Sequence, residues 1–214
     1  MELYIIRHGE STNNVQGAQW VPDPELTALG IAQAERLGER MASVKIDYLL
    51  SSPLKRALRT AHEIAKRHND LRQCKLPVHI LHELVETGTD YQTVTHAQAL
   101  EFCPGAQRYD EMGAGDYGDN YGLHLNDPYY MLSRAYRVIS RVRQIYPEES
   151  TVVLVGHVGV NQRLIAAALR MSLPPGLGFS QGNTCVNHIS YRKDKHGLPH
   201  TRLEMMNDMS HLNA

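Results

Sequence analysis

The chain opens on Leu3 to Ile6, a short, almost wholly apolar and partly β-branched run with polar residues and Gly9 directly behind it. A run this short and continuous predicts a strand buried on both faces. From Thr27 the period changes. Thr27 suits an N-cap, and Ala34, Leu37 and Met41 recur at helical spacing with charged residues between them. Ile46 to Leu50 predicts a second strand, ending at Ser51-Ser52. Pro53 then suits the first turn of a helix that Leu54, Leu58, Ala61 and Ile64 continue on one face. Leu76 to Leu84 predicts a third strand, its pattern broken by His79 and His82. Asp127 with Pro128 opens a long helix to about Tyr146. Thr151 to Val155 is the most β-like run, ended by Gly156-His157 and followed by a helix through Leu164, Ile165, Ala168 and Leu169. Two weaker strands follow near Cys185 to Tyr191 and Thr201 to Met205.

Strands alternating with helices predict an α/β fold of three layers (α/β/α) around a mostly parallel central sheet. The expected organisation is a single domain over 1–214, with 87–146 as an inserted irregular and helical lid. Residues 87 to 126 are rich in Gly, Tyr, Asp and Asn, with one short helical candidate at Ala97 to Phe102. Long irregular segments inside compact domains usually carry function. Tyr91, Tyr109, Tyr117, Tyr121, Tyr129 and Tyr130 would be the lid's rings for choosing a leaving group; packing alone is the plainer reading. Arg7-His8-Gly9 and Gly156-His157 both fall just past the C-terminal ends of strands, the edge at which open α/β sheets bind ligands.

Composition changes this picture in a few respects. The 214 residues are 42% hydrophobic and 21% charged with a net charge of -1. There is no electrostatic footprint for nucleic acid or an anionic membrane, so neither is an expected partner. Any bound anion must be held by a local cluster of positive charge. Cys74, Cys103 and Cys185 are scattered and odd in number, which argues for a reducing compartment. The N-terminus lacks a signal-peptide pattern, and the expected location is cytoplasmic. The 12 histidines raise the question of metal. His79 and His82 lie in a strand-like segment, where their spacing points them to opposite faces. His196 and His200 lie among Lys195, Gly197 and Pro199, which break a helix. No metal and no cofactor is expected. Met205, Met206 and Met209 offer either a homodimer interface or a docked tail.

The run Arg7-His8-Gly9-Glu10-Ser11-Thr12 carries the chemistry. Arg-His-Gly-Glu after an N-terminal strand resembles the signature of the histidine phosphatase (phosphoglycerate mutase-like) superfamily. Three further segments match in order. Leu26-Thr27-Ala28-Leu29-Gly30 resembles the family's Leu-Thr-x-x-Gly. Ser52 to Ala61 resembles its Ser-x-Leu-x-Arg-Ala-x-x-Thr-Ala. Val155-Gly156-His157-Val158-Gly159 resembles its second histidine motif, usually His-Gly-Gly, with Val158 a departure. The resemblance covers roughly residues 1 to 86 and 150 to 192.

An imidazole nucleophile suits a phosphate monoester, because a neutral nitrogen avoids the repulsion an anionic nucleophile meets and yields a phosphohistidine that water cleaves. The resemblance implies His8 in that role. It implies Arg7, Arg56 and His157 as phosphate contacts, with Asn14 at the spacing of a further one. Planar guanidinium forks suit paired phosphate oxygens. The leaving alkoxide needs a proton. The family places a glutamate after its third strand in a Leu-x-Glu context, which Glu83 and Glu86 both match; Glu86 is preferred because Gly88 follows it closely. Glu10 and Arg59 receive no chemistry. The mutase branch's Trp-Asn pair and Glu-Arg-His-Tyr-Gly segment are missing, so the expected activity is a metal-independent phosphomonoesterase acting on a small phosphorylated substrate. A phosphoglycerate-type phosphomutase and a catalytically inactive phosphate-binding regulatory protein are the alternatives.

Overall fold

A computed structural model of the chain describes residues 1–87, 96–108, 128–174 and 176–213. Among these, seven strands form one sheet: β1 (Glu2–Arg7), β2 (Tyr48–Ser51), β3 (Val78–Ile80), β4 (Gln107–Arg108), β5 (Thr151–Gly156), β6 (Val186–Lys193) and β7 (Pro199–Asp208). The order is β4-β3-β2-β5-β1-β6-β7. The first five in that order run parallel, and β6 and β7 add an antiparallel edge. Five helices accompany them: α1 (Ala28–Ala42), α2 (Lys55–Arg72), α3 (His96–Phe102), α4 (Pro128–Ile145) and α5 (Val158–Ala168). The α/β class with a mostly parallel sheet is the one the sequence predicts. Among the described residues no helix is long and apolar enough to cross a membrane.

The apolar runs at the start of the chain and at 151–155 become β1 and β5, the two central strands. Alternation along each strand divides its side chains between two cores. Leu3, Ile5, Val152 and Leu154 pack with Ala135, Val138, Val142, Leu164 and Ile165 from α4 and α5. Ile6, Val153 and Val155 pack with Leu37, Met41, Leu58 and Ile64 from α1 and α2. Burial on both faces is why these strands read as unbroken apolar runs rather than alternating ones.

Several boundaries differ from the sequence expectation. Pro53 lies before α2, whose N-cap is Leu54, because Leu54 is still extended (φ -74, ψ 139). The third strand is only Val78–Ile80; the chain then leaves the sheet into a 3-10 turn, His82–Leu84. That early exit carries residues 85–87 across to the start of α5. Thr27 does cap α1, its hydroxyl accepting from the Gly30 N–H at 3.0 Å. Gly9 and Gly30 face each other, and a Cβ on either would strike the other segment's backbone. The loop after β1 is thereby held tightly against the first turn of α1. Tyr91, Tyr109, Tyr117 and Tyr121, most of the expected lid, and the side chain of Tyr129 lie outside the described residues.

Candidate active site

The register of the two central strands builds the site. β1 and β5 pair in parallel with Arg7 opposite Gly156, so the next residues, His8 and His157, emerge side by side. Their rings lie 5.0 Å apart between centroids, tilted by 56°. The main chain locks this junction: the His8 N–H donates to the Gly156 carbonyl at 3.1 Å, and the His8 carbonyl accepts from Thr184 N and Asn183 Nδ2, both at 3.2 Å.

His8 is 3% exposed. Its Nδ1 lies 2.6 Å from the Gly9 carbonyl. A carbonyl only accepts, so Nδ1 carries the proton and Nε2 keeps its lone pair. That lone pair accepts from Arg56 Nε at 3.2 Å. Burial, then the charges of Arg56 and Arg7, hold the imidazole's pKa well below the usual histidine value, with the Gly9 carbonyl opposing. Desolvation and neighbouring cations both disfavour imidazolium. His8 therefore presents an unprotonated nitrogen at neutral pH.

Arg56 stands in the first turn of α2, buried, with Nη1 3.4 Å from Asp23 Oδ1. Thr60, one turn on, donates to the Arg56 carbonyl at 2.7 Å and accepts from the Gly9 N–H at 3.1 Å, tying the helix to the loop behind His8. Arg7 donates through Nη1 to the Gln181 carbonyl at 2.6 Å. Its Nε is buried with no partner among the described residues. Burial lowers the Arg7 pKa, against the opposing charges of Cys185 and Glu86. His157 is fully buried; its Nε2 is 2.8 Å from Ser52 Oγ, and its Nδ1 has no partner among the described residues. Burial, with Arg56 the next cause, also lowers the His157 pKa well below the usual range.

Asn14 lies at the rim. Its Oδ1 accepts from Ser11 N at 3.0 Å, Ser11 Oγ at 3.1 Å and Asn183 Nδ2 at 3.3 Å, which leaves the amide NH2 as the part suited to an anion. Glu86 is drawn to the start of α5: Oε1 accepts from Thr87 N at 2.7 Å and Val160 N at 3.2 Å, and Oε2 from Gly159 N at 3.2 Å. A Cβ on Gly159 would collide with the Thr87 hydroxyl and the Glu86 carboxyl, so a glycine there lets the carboxyl dock. Val158, the departure from His-Gly-Gly, lies one residue before this contact. Glu83 sits in the 3-10 turn, where its charge acts on His82, whereas that of Glu86 acts on Arg7 and Arg163. The structure thus brings together His8, Arg7, Arg56 and His157 with Glu86.

Other members of the cluster escaped sequence reasoning. Asp23, Gln181 and Asn183 act through tertiary contacts with no local pattern. Arg134 is fully buried in α4 and donates to the Val85 carbonyl at 2.8 Å, beside Glu86. A signal for it existed: it interrupts the stripe Met131, Ala135, Val138, Val142 at helical spacing.

Fold and site together define a phosphoglycerate mutase-like α/β protein with histidine at its centre. The chain belongs to the histidine phosphatase superfamily (branch 1), whose family model matches residues 3–203. It is 29% identical over 203 residues to adenosylcobalamin/alpha-ribazole phosphatase of Escherichia coli (strain K12), covering 88% of this chain and 89% of that protein. A 67-residue stretch is 40% identical to a probable phosphoglycerate mutase of Proteus mirabilis, 31% of each chain. Among solved structures, phosphoserine phosphatase from Entamoeba histolytica, in complex with 3-phosphoglyceric acid, superimposes with a TM-score of 0.66 at 27% identity, covering 99% of this chain and 98% of that one.

Proposed function

We propose that this protein is a metal-independent phosphomonoesterase that hydrolyses a small phosphate ester through a phosphohistidine on His8. The observation that carries the reading is a neutral His8 whose Nε2 lone pair faces a buried arginine fork. In the first half-reaction Nε2 attacks phosphorus, the bond from phosphorus to the ester oxygen breaks, and Glu86 gives the leaving alkoxide a proton. In the second, water attacks the same phosphorus and gives its proton to Glu86, the P–N bond breaks, and inorganic phosphate leaves. Arg7, Arg56, His157 and Asn14 hold the phosphoryl oxygens. A guanidinium about 4 Å from a phosphoryl charge contributes roughly 4 kcal/mol at the effective dielectric of a partly buried site.

The alpha-ribazole and phosphoserine phosphatases named above support a small monoester as substrate, and the short match to a probable mutase supports phosphoryl return to a second hydroxyl as the other reading. One experiment separates them: assay a panel of phosphate esters in EDTA, following both free phosphate and isomerised ester. Free phosphate from at least one ester is expected. Isomerisation without phosphate release would make the protein a mutase, and binding without either product would make it a regulatory protein. We assign the part of 87–146 that precedes α4 as the lid over this site; α4 itself packs in the core against β1 and β5. Deleting 110–120 should shift relative rates across the same panel severalfold; an unchanged ranking would remove the lid assignment.

A further inference from the structure

We propose that Asp23 is a positioning residue of the phosphate site, its buried carboxylate tethering the Arg56 guanidinium so that Nε is aimed at His8 Nε2. The inference rests on the phosphatase reading above. Asp23 lies in the loop between the His8 segment and α1, and its side chain is 7% exposed. The carboxylate accepts from the Lys55 N–H at 3.2 and 3.3 Å and faces Arg56 Nη1 at 3.4 Å. The same guanidinium donates through Nε to His8 at 3.2 Å. Asp23 thus grips one end of the fork while the other end meets the nucleophile.

A plainer role is open to Asp23. Leu54, the N-cap of α2, has no side-chain cap bond, and Asp23 supplies the acceptor from elsewhere in the chain. A neutral Ser or Asn would serve a helix end as well. Burying an ionisable carboxylate is costly unless its charge is used. Burial pushes the Asp23 carboxyl up to about 6, with the Lys55 N–H and then the Arg56 and Lys55 charges opposing and Glu25 adding to the rise. The Lys55 ammonium pairs with Glu25 at 3.8 Å, so the cation that Asp23 holds inside the protein is Arg56.

The sign of the pH dependence follows. Above about 6 Asp23 is ionised and tethers Arg56; below that it is neutral and the tether weakens. A carboxyl with a raised folded-state pKa contributes stability below its unfolded value, and that contribution is lost as pH rises through the folded value. Asn at this position is spared that loss.

The test is the affinity of full-length protein for inorganic phosphate, by titration calorimetry, in wild type, Asp23→Asn and Asp23→Ser. Ser keeps an acceptor for Lys55 N if the Asn variant folds poorly. At pH 7.5 the Kd is expected to rise about tenfold, as for loss of a charge-assisted hydrogen bond. The KM of an ester substrate should rise alongside, with kcat changed less. The mutant-to-wild-type Kd ratio should fall toward one as pH drops to 5, since ligand and histidine ionisation cancel in the ratio. In an Arg56→Lys background, Asp23→Asn should change Kd less than about twofold. An unchanged Kd at pH 7.5, a ratio flat with pH, or an equal effect in the Arg56→Lys background would overturn the inference and leave Asp23 a helix cap. Wild-type protein that neither binds phosphate nor releases it from an ester would overturn the phosphatase reading and this inference with it.

Discussion

Replacing His8 with alanine is expected to abolish ester hydrolysis, with kcat falling by about four orders of magnitude or more, while phosphate binding survives. The split follows from how labour is divided at the site. The atom of His8 offered to phosphorus is Nε2, aligned on the Arg56 fork, whereas the Nε2 of the neighbouring His157 is engaged by the Ser52 hydroxyl. Losing a nucleophile typically removes most of the rate enhancement and leaves what the surrounding electrostatics supply. Those electrostatics are Arg7 and Arg56, which the substitution leaves in place and relieves of a neighbour that also occupied the Arg56 Nε–H. Inorganic phosphate should therefore bind His8→Ala within a few-fold of wild type. Wild type mixed briefly with substrate should carry an acid-labile phosphoryl group that the variant lacks. Because burial and the two arginines hold the His8 pKa well below its usual value, no loss of wild-type rate from His8 protonation is expected as pH falls through 6.5. Hydrolysis by His8→Ala at a wild-type rate would remove the phosphohistidine mechanism.

Much of the framework that places His8 is legible in the amino-acid pattern, and the reasons for the gaps are physical. The two central strands announce themselves because both their faces are buried, while β7 reads weakly because it is an exposed edge whose residues have little apolar contact to make. The third strand ends at Ile80, short of the Leu84 that the apolar pattern predicts. Leu81 and Leu84 are buried there, but in a 3-10 turn under the α4–α5 core, and burial alone does not separate a turn from a strand. The neighbourhood of His8 and His157 depends on a parallel pairing of segments about 150 residues apart, which no local period encodes; the family resemblance supplied it. Asp23 illustrates the remaining limit. Its carboxyl belongs to a loop with no periodicity, and its partner is the first turn of a helix that lies beyond a whole intervening α/β unit.

Glu86→Gln is expected to cut kcat about 10²- to 10⁴-fold on an alkyl phosphate, the range for removing a general acid. On p-nitrophenyl phosphate the loss should be much smaller, because nitrophenolate leaves without needing a proton. The contrast between the two esters, rather than the loss on either, identifies proton transfer. Glu86 holds its place through both oxygens, Oε1 on the N–H groups of Thr87 and Val160 and Oε2 on that of Gly159. Glutamine can satisfy the first pair with its carbonyl but then sets its NH2 against the Gly159 N–H, so about 1–2 kcal/mol of stability should go with it. That side effect acts on both esters alike and cancels in their ratio. Glu83→Gln is the control. Its carboxyl belongs to the 3-10 turn and acts on His82, and neither ester should be slowed preferentially. If instead Glu83→Gln spared the aryl ester and lost the alkyl one, while Glu86→Gln slowed both equally, the proton donor would be Glu83. The docking of Glu86 on α5 would then serve to hold the 85–87 segment beside His157.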